Sequence, residues 1–425
     1  MPDTDVINNR QTPILVIGGG IAGLTAAIEL AEAGRHVILI EKSAYLGGRV
    51  AASNLYFPKL CPPSCGLEIN FKRLRTNPRV TVLTLAELEK LTGASGDYEA
   101  TIKIAPRYVT DACTLCGACQ DACPAEIADE FNFGLTRTKA IHTRRPAAFP
   151  AAYVVNRFAC PTGCNACADA CTYDAIKLDQ VETHRTYRVF SVVVATGWAP
   201  YDAAKLDNLG FGKCANVVTN VVMERLASTE GPTGGKILRP SDGKPPKSVA
   251  FVQCAGSRDR KHLPYCSTVC CSASLKQTTY VRKSCPEANV TIFYIDLRTA
   301  GHLQEFADKV CADDAIELVK GKVGKIEEDP QTKALRVTVE DTISGKKTTR
   351  NFDLVVLAAG IVPRTANLPP SLSLDEFGFV ASNASVGIFS AGCVKRPAEV
   401  SATVRDATGA ALKALQVAVG VTQHG

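Results

Sequence analysis

A chain of 425 residues with 46% hydrophobic residues and a mean hydropathy of +0.04 has the apolar content for two or three globular domains. Its formal net charge of +6 is scattered, apart from Arg144-Arg145 and the nearby pair Lys244 and Lys247, and gives no basis for binding nucleic acid. Eighteen cysteines, no charged-then-apolar leader and no run of about 18 apolar residues argue against an exported disulfide scaffold and a membrane span; metal or redox thiols in a reducing cytoplasm are expected.

Residues 1–12 are polar and are expected to fray. From Ile14 there follow an apolar strand, a turn reading Gly18-Gly-Gly20-Ile21-Ala22-Gly23, and a helix with apolar spacing; His36-Val-Ile-Leu-Ile-Glu41 then supplies a second strand ending in an acid. This is the G-x-G-x-x-G dinucleotide fingerprint, with its acid about 20 residues on. Gly18 permits the tight turn, Gly20 lets a pyrophosphate approach the backbone, Gly23 lets the helix pack on the strand, and the helix N-terminus faces the phosphates. Glu41, followed by Lys42, is expected to hold the ribose hydroxyls. Gly47-Gly48-Arg49 comes next and resembles the glutathione reductase and thioredoxin reductase superfamily, in which it implies FAD rather than NAD. Three later stretches fall in that superfamily's order: Val189–Gly197, with Ala195, Thr196 and Gly197 at the flavin; Asn351–Gly360; and Val386–Gly392. Cys393 stands where the superfamily has the Asp that bonds the ribityl chain, which leaves backbone N–H groups at Gly392 and Cys393 for that contact. An Ala-rich helix, roughly Ala398 to Val419, closes the chain.

Cys61 and Cys65 follow the flavin loop with Pro62-Pro63 between them, which predicts an extended loop. Three readings stand: a redox-active dithiol beside the flavin, accessory cluster ligands, or packed structural thiols. Strands are predicted at Arg79–Leu83 and Tyr98–Ile104 from alternation.

Two cysteine runs come next. Cys113-x2-Cys116-x2-Cys119-x3-Cys123-Pro124 has the bacterial ferredoxin spacing for [4Fe–4S] ligation, and Cys160-x3-Cys164-x2-Cys167-x3-Cys171 is the same motif stretched by one residue, with Thr172 in place of Pro. Three close thiolates wrap three corners of a cubane, and in two-cluster ferredoxins the fourth comes from the other run. One cluster is therefore expected on Cys113, Cys116, Cys119 and Cys171, the other on Cys160, Cys164, Cys167 and Cys123. Zinc favours four ligands in paired knuckles, a poor fit to eight thiols in mirrored runs. The flanking strands Tyr98–Ile104 and Arg185–Phe190 read as neighbours, so the unit sits at a hairpin tip, where an insertion costs little. Glu130–Tyr153 between the runs reads as a solvated loop, with a docking surface as the alternative.

After a Gly-, Pro- and Lys-rich connector at 201–247, the strand Ser248–Gln253 opens a second Rossmann-like unit. Its loop, Cys254-Ala-Gly256-Ser-Arg258-Asp259, has one glycine, so weak or lost nicotinamide binding is expected. In its place stands Cys254-x11-Cys266-x3-Cys270-Cys271, the last two just ahead of a helix predicted at Ser272–Lys283. A third cluster, a redox disulfide and structural thiols are all compatible with this spacing. Cys214, Cys285 and Cys311 are isolated and expected to be packed.

The expected fold is α/β: a two-dinucleotide-binding-domain flavoprotein of the thioredoxin/glutathione reductase kind with an inserted two-[4Fe–4S] ferredoxin domain. The flavin domain would occupy 13–105, 181–200 and 351–425, the ferredoxin unit 106–180, and the second Rossmann-like domain 201–350. The Gly-Gly-Gly-Ile-Ala-Gly loop, the inserted ferredoxin, the C-x11-C-x3-C-C run and Ala391-Gly-Cys393 together resemble the A-subunit family of heterodisulfide reductases over nearly the whole chain. Longer family members carry an extra N-terminal domain and a C-terminal ferredoxin domain, which this sequence lacks. Its Tyr56–Phe71 stretch is similar to the A-subunits of the quinone-interacting membrane-bound oxidoreductases. The resemblance implies FAD, a third [4Fe–4S]-type cluster on the Cys254 run, and electron transfer between the menaquinone pool and adenylylsulfate reductase in sulfur metabolism. It also implies partner subunits that hold the membrane and haem parts, and so a cytoplasmic location at the membrane. Against this electron-transfer reading stand a thiol–disulfide or heterodisulfide reductase working through Cys61, Cys65 and flavin, a flavin-based bifurcating component, and a scaffold with a vestigial flavin site.

Overall fold

The computed structural model describes residues 12–57, 59–144 and 148–423; the polar start at 1–11, and Arg145, lie outside them. The apolar run Ile14–Ile17 is buried at all four positions and forms the centre of a parallel sheet. In order, that sheet runs Ile388–Ser390, Val192–Val194, Ile14–Ile17, Val37–Glu41, Val80–Thr84. Strands covered on both faces read as continuous apolar runs. The helix Ile21–Glu32 covers one face, and the C-terminal helix Val400–Gln423 lies in the same core through Ala407, Ala410, Ala411 and Ala414, whose small side chains share one stripe.

A second, antiparallel sheet of Thr183–Val189, Asp97–Ile104 and Ala86–Ala94 packs on the other face. Its first two strands flank the cysteine-rich unit, as expected. Ala86–Ala94 is a strand that alternation does not predict, because a register shift between Leu88 and Lys90 breaks the two-residue period. The run Val189–Gly197 is not one strand. Val189 ends the antiparallel sheet, Phe190 N bonds Pro13 O, and the chain re-enters the parallel sheet only at Val192–Val194.

The second dinucleotide domain is a seven-stranded sheet ordered Val217–Thr219, Leu354–Ala359, Ser248–Ala255, Asn289–Tyr294, Ile316–Glu328, Leu335–Asp341, Lys347–Phe352. Leu354–Ala359, expected in the third flavin segment, runs beside Ser248–Ala255 with every residue buried. Full burial on both faces is what a central parallel strand provides. The connector at 201–247 also contributes, through Val217–Thr219 and the helix Asn220–Ala227. The two crossings between domains, Trp198–Pro200 and Ile361–Pro363, pair antiparallel as a short ribbon.

Candidate flavin cleft and thiol sites

A cleft of about 1160 Å³ opens at the carboxyl ends of the first parallel sheet, where ligands of open α/β sheets bind. Every residue expected at the flavin lines it except Gly23 and Gly392, which lie beneath it. Gly18 takes φ +107, a conformation that glycine alone adopts freely. A Cβ on Gly23 would stand 1.7 Å from Gly18 O, so the helix approaches the strand only because that atom is missing. Glu41 clamps the glycine loop: Oε2 accepts from Gly19 N at 2.6 Å and Oε1 from Ser43 N at 2.8 Å. Lys42 pairs with Glu87 at 3.0 Å, and Glu87 also accepts from Asn367 Nδ2.

Arg49 lies between the rings of Trp198 and Phe133, at 5.6 and 5.9 Å. Burial lowers its pKa to about 10, and the neighbouring Arg364 pushes the same way. Two guanidinium groups beside a helix N-terminus fit a diphosphate, which would supply the charge they lack. At the far end, Gly392 N donates to Asp406 Oδ2 at 2.8 Å, and the same carboxylate holds Lys395 at 2.6 Å. The Gly392 N–H expected to serve the ribityl chain is therefore taken by Asp406 of the C-terminal helix, a contact that sequence spacing could not announce. Cys393 is buried, its thiol pushed up by burial, and it donates to Ala398 O at 3.2 Å.

The cysteine-rich unit supplies one wall of the cleft, from Ile127 to Asn156. The stretch from Glu130 onward, expected as a solvated loop, packs instead. Asp129 caps a tight turn by accepting from Phe131 N and Asn132 Nδ2, and Phe131, Phe133 and Arg144 line the cleft. Arg144 lies over the Phe131 ring at 4.6 Å and the Tyr45 ring at 5.7 Å; burial pushes its pKa down while Glu41 pulls it up. The aromatic and arginine content read as loop chemistry is interface chemistry. His142 also lines the cleft, its Nδ1 buried with no hydrogen-bond partner among the described residues and its pKa lowered by burial. An imidazole kept neutral there, with one nitrogen unmatched, fits a ligand bearing a polar edge. Six scattered histidines gave no hint of it.

Cys113, Cys116, Cys119 and Cys171 surround one small cavity with Tyr153 and Ile176. Burial, then the thiols of Cys113, Cys116, Cys171 and Cys167, raise Cys119 to about 11. Cys167 is raised by burial and then by Cys160, with Cys123 a lesser influence. Cys113, Cys116, Cys119 and Cys171 thus share one cavity, and Cys123, Cys160 and Cys167 lie near one another. In the second domain Cys270 is buried, raised first by that burial and then by Cys254, Cys271 and Cys266, so these four thiols also meet. Thr268 N donates to Cys266 Sγ at 3.4 Å, and Cys270 and Cys271 begin the helix Cys270–Ser284. Four converging thiols with a backbone N–H on one of them suit an iron–sulfur cluster. Above this loop, the Tyr201 ring would be 2.5 Å from a Cβ on Gly256, and Tyr201 Oη bonds His262 Nδ1 at 2.7 Å, so the glycine turn is roofed by an aromatic side chain.

Cys61 and Cys65 do not line the cleft. Pro62-Pro63 does not make an extended loop: Pro62 caps and Pro63 opens the helix Pro63–Thr76, because proline is well suited to the first helical position. Cys65 is exposed in its first turn and Cys61 is half-buried beside the Tyr56 hydroxyl, so neither is a packed core thiol. Cys214 and Cys285 are buried as expected; Cys311 is only partly so.

Residues 16–80 match the NAD(P)-binding Rossmann-like domain, and residues 112–176 match the 4Fe-4S dicluster domain. Among solved structures, thioredoxin reductase from T. acidophilum aligns with a TM-score of 0.54 at 15% identity, covering 96% of this chain and 99% of that one. Lactococcus lactis thioredoxin reductase gives 0.53 at 14%, with 96% and 100% covered. Fold and site together define a flavoprotein of two dinucleotide-binding domains with a dicluster ferredoxin insertion. The iron-sulfur A-subunit, form 2, of the CoB–CoM heterodisulfide reductase of Methanopyrus kandleri is 38% identical over 94% of this chain and 63% of its own length. The A-subunit of the H2:CoB–CoM heterodisulfide,ferredoxin reductase of Methanothermobacter marburgensis is 34% identical over the same two fractions. The chain is similar to the A-subunits of heterodisulfide reductases over most of its own length, and it spans less than two thirds of the length of these relatives. Among the described residues no helix is long and apolar enough to cross a membrane.

Proposed function

We propose that the chain is the FAD- and iron–sulfur-carrying electron-transfer subunit of a heterodisulfide-reductase-type complex. One observation carries this: a single cleft is walled on one side by the glycine loop, Glu41 and Arg49, and on the other by Ile127, Phe133 and Asn156 of the cysteine-rich unit. Cys160 Sγ reaches Asn156 O at 3.6 Å, so one thiol set abuts the cleft wall itself. A bound flavin would supply exchange between electron pairs and single electrons, which clusters carry singly. Arg49, Arg364 and the helix N-terminus would bind the diphosphate, Glu41 the ribose, and Cys393 and Thr403 would face the flavin end. Cys113, Cys116, Cys119 and Cys171 would ligate one cluster, Cys123, Cys160, Cys164 and Cys167 a second, and Cys254, Cys266, Cys270 and Cys271 a third.

The names of the relatives favour a heterodisulfide, with ferredoxin or H2 on the other side, as the chemistry of the complex. The menaquinone and adenylylsulfate reductase assignment rests on the Tyr56–Phe71 resemblance and is the narrower reading. A direct thiol–disulfide role for Cys61 and Cys65 is supported by Cys65 being exposed, but neither thiol borders the cleft. Turnover of a small disulfide by the anaerobic protein, lost in Cys61→Ser with iron unchanged, would favour that role.

Iron, acid-labile sulfide and FAD per chain on anaerobically purified protein test the whole. One FAD and about 12 iron are expected for three clusters; about 8 would free the Cys254 set for thiol chemistry, and iron near zero in a folded chain would defeat the proposal.

A further inference from the structure

The loop that carries the second-domain thiols also gathers positive charge. Cys254 and Arg258 both adopt φ of 57°, a conformation non-glycine residues take rarely, and the turn between them brings the Arg258 guanidinium back beside the Cys254 thiol. Arg258 N donates to Tyr265 O at 3.0 Å and Asp259 N to Leu263 O at 3.0 Å, which fixes the turn. Arg258 Nη1 is buried and has no hydrogen-bond partner among the described residues; its nearest carboxylate oxygen is Asp296 Oδ2, at 3.7 Å. Arg298 donates to that same oxygen at 2.7 Å and lies beside Cys266. Lys320 also faces Asp296. Three cations thus attend one carboxylate around four thiols.

The ferredoxin unit is built differently. The influences on Cys119 and Cys167 are burial, other thiols and backbone. Arg107, which is influenced by Cys113, is occupied by Ala44 O, Thr84 Oγ1, Ala152 O and Tyr153 O. Arg157 donates to the carbonyl of Cys164, not to its sulfur.

We propose that Arg258 is a charge-setting and positioning residue for the Cys254, Cys266, Cys270 and Cys271 site, and that it makes this site the highest-potential one-electron acceptor of the three. The inference rests on reading those four cysteines as a cluster ligand set. One-electron reduction breaks no thiolate bond and adds one negative charge, so an adjacent cation with an unmatched N–H favours the reduced form; net charge and hydrogen bonds to sulfur are recognised levers on cluster potential. Arg298 acts in the same sense but more weakly, because its side chain is 52% exposed against 25% for Arg258 and water screens it.

The test is a redox titration of the anaerobically purified full chain, followed by electron paramagnetic resonance, with iron counted in every sample. In the wild type, one cluster signal is expected to reduce above the other two, and Cys266→Ser should remove that one. Arg258→Gln should lower its midpoint by about a tenfold change in the reduction constant, roughly 59 mV for one electron, while the other two stay in place. Arg258→Lys should recover most of the shift, and Arg298→Gln should shift it less. A full iron complement with an unmoved midpoint in Arg258→Gln overturns the inference. So does a highest-potential signal that survives Cys266→Ser. Should Arg258→Gln lose iron, Arg298→Gln decides: a full iron complement with an unmoved midpoint there overturns the inference. A wild type holding only about 8 iron overturns the ligand-set reading instead, and is told apart by the count alone.

Discussion

Arg225 Nε donates to Asn132 Oδ1 at 2.8 Å, joining the helix Asn220–Ala227 of the second domain to the capped turn of the ferredoxin unit. Arg225 is 2% exposed, lies over the Phe131 ring at 4.5 Å and also donates to Glu230 O. Arg225→Ala would leave the buried Asn132 Oδ1 unmatched, while the carbonyl of the exposed Glu230 is open to water. A loss of about 1–3 kcal/mol in unfolding free energy is expected, with faster amide exchange across residues 129–136.

Lys276 and Glu224 form a second tie. Lys276 Nζ meets Glu224 Oε1 at 3.0 Å and also donates to Leu55 O, while Glu224 accepts in addition from Asn54 N, Gln277 Nε2 and Tyr280 Oη. This network holds the segment leading to Cys61 against the second domain. Lys276→Met strands a buried carboxylate and should cost about 3–5 kcal/mol. Lys276→Met combined with Glu224→Gln should recover much of that, because no unpaired charge remains; denaturant melts of the three proteins measure it.

Gly20 and Gly23 should fail in different ways. A Cβ on Gly20 has nothing nearer than Gly48 Cα at 3.8 Å, whereas one on Gly23 collides with Gly18 O. Gly20→Ala is therefore expected to fold normally and yet lose FAD affinity by tenfold or more, at least about 1.4 kcal/mol, because the new methyl occupies the phosphate approach. Gly23→Ala should lower the melting temperature of the flavin-free chain as well.

Arg49 stores a cost in the flavin-free protein. Its folded pKa of about 10 lies below its ordinary value of 12.5, so at neutral pH folding is opposed by the buried charge, and that opposition fades as pH rises through 10. At about 1.4 kcal/mol per unit the ceiling is about 3.5 kcal/mol. Arg49→Met should make the flavin-free chain more stable by up to that amount and bind FAD much less tightly. A melting temperature unchanged or lowered in the flavin-free variant would contradict this.

The parts legible in advance were those whose chemistry is local. The glycine turn and its acid need a few residues at fixed spacing, and the fold places them at one cleft; Cys113, Cys116, Cys119 and Cys171 likewise meet at one cavity. The errors lay where packing decides. Pro63 opens a helix since its missing N–H costs nothing at that position. Leu354–Ala359 joins the second sheet because its burial demands neighbours on both edges. The Glu130–Tyr153 stretch looked solvated because Arg144 finds its partners, the Tyr45 ring and Leu46 O, far away in sequence.

The sequence by itself determined the kinds of group this protein carries: a Rossmann turn, two ferredoxin ligand sets and a third set of thiols. Only the tertiary structure decided that Phe133, His142 and Arg144 of the inserted unit wall the flavin cleft, that Asp406 reaches Gly392, and that Arg258 stands over Cys254. The physical reason is range. Ligand spacing is set by a few bonds of chain, whereas a buried cation's partners are chosen by how whole sheets and an insertion pack, and the two residues so joined in the Arg225–Asn132 bond lie 93 positions apart.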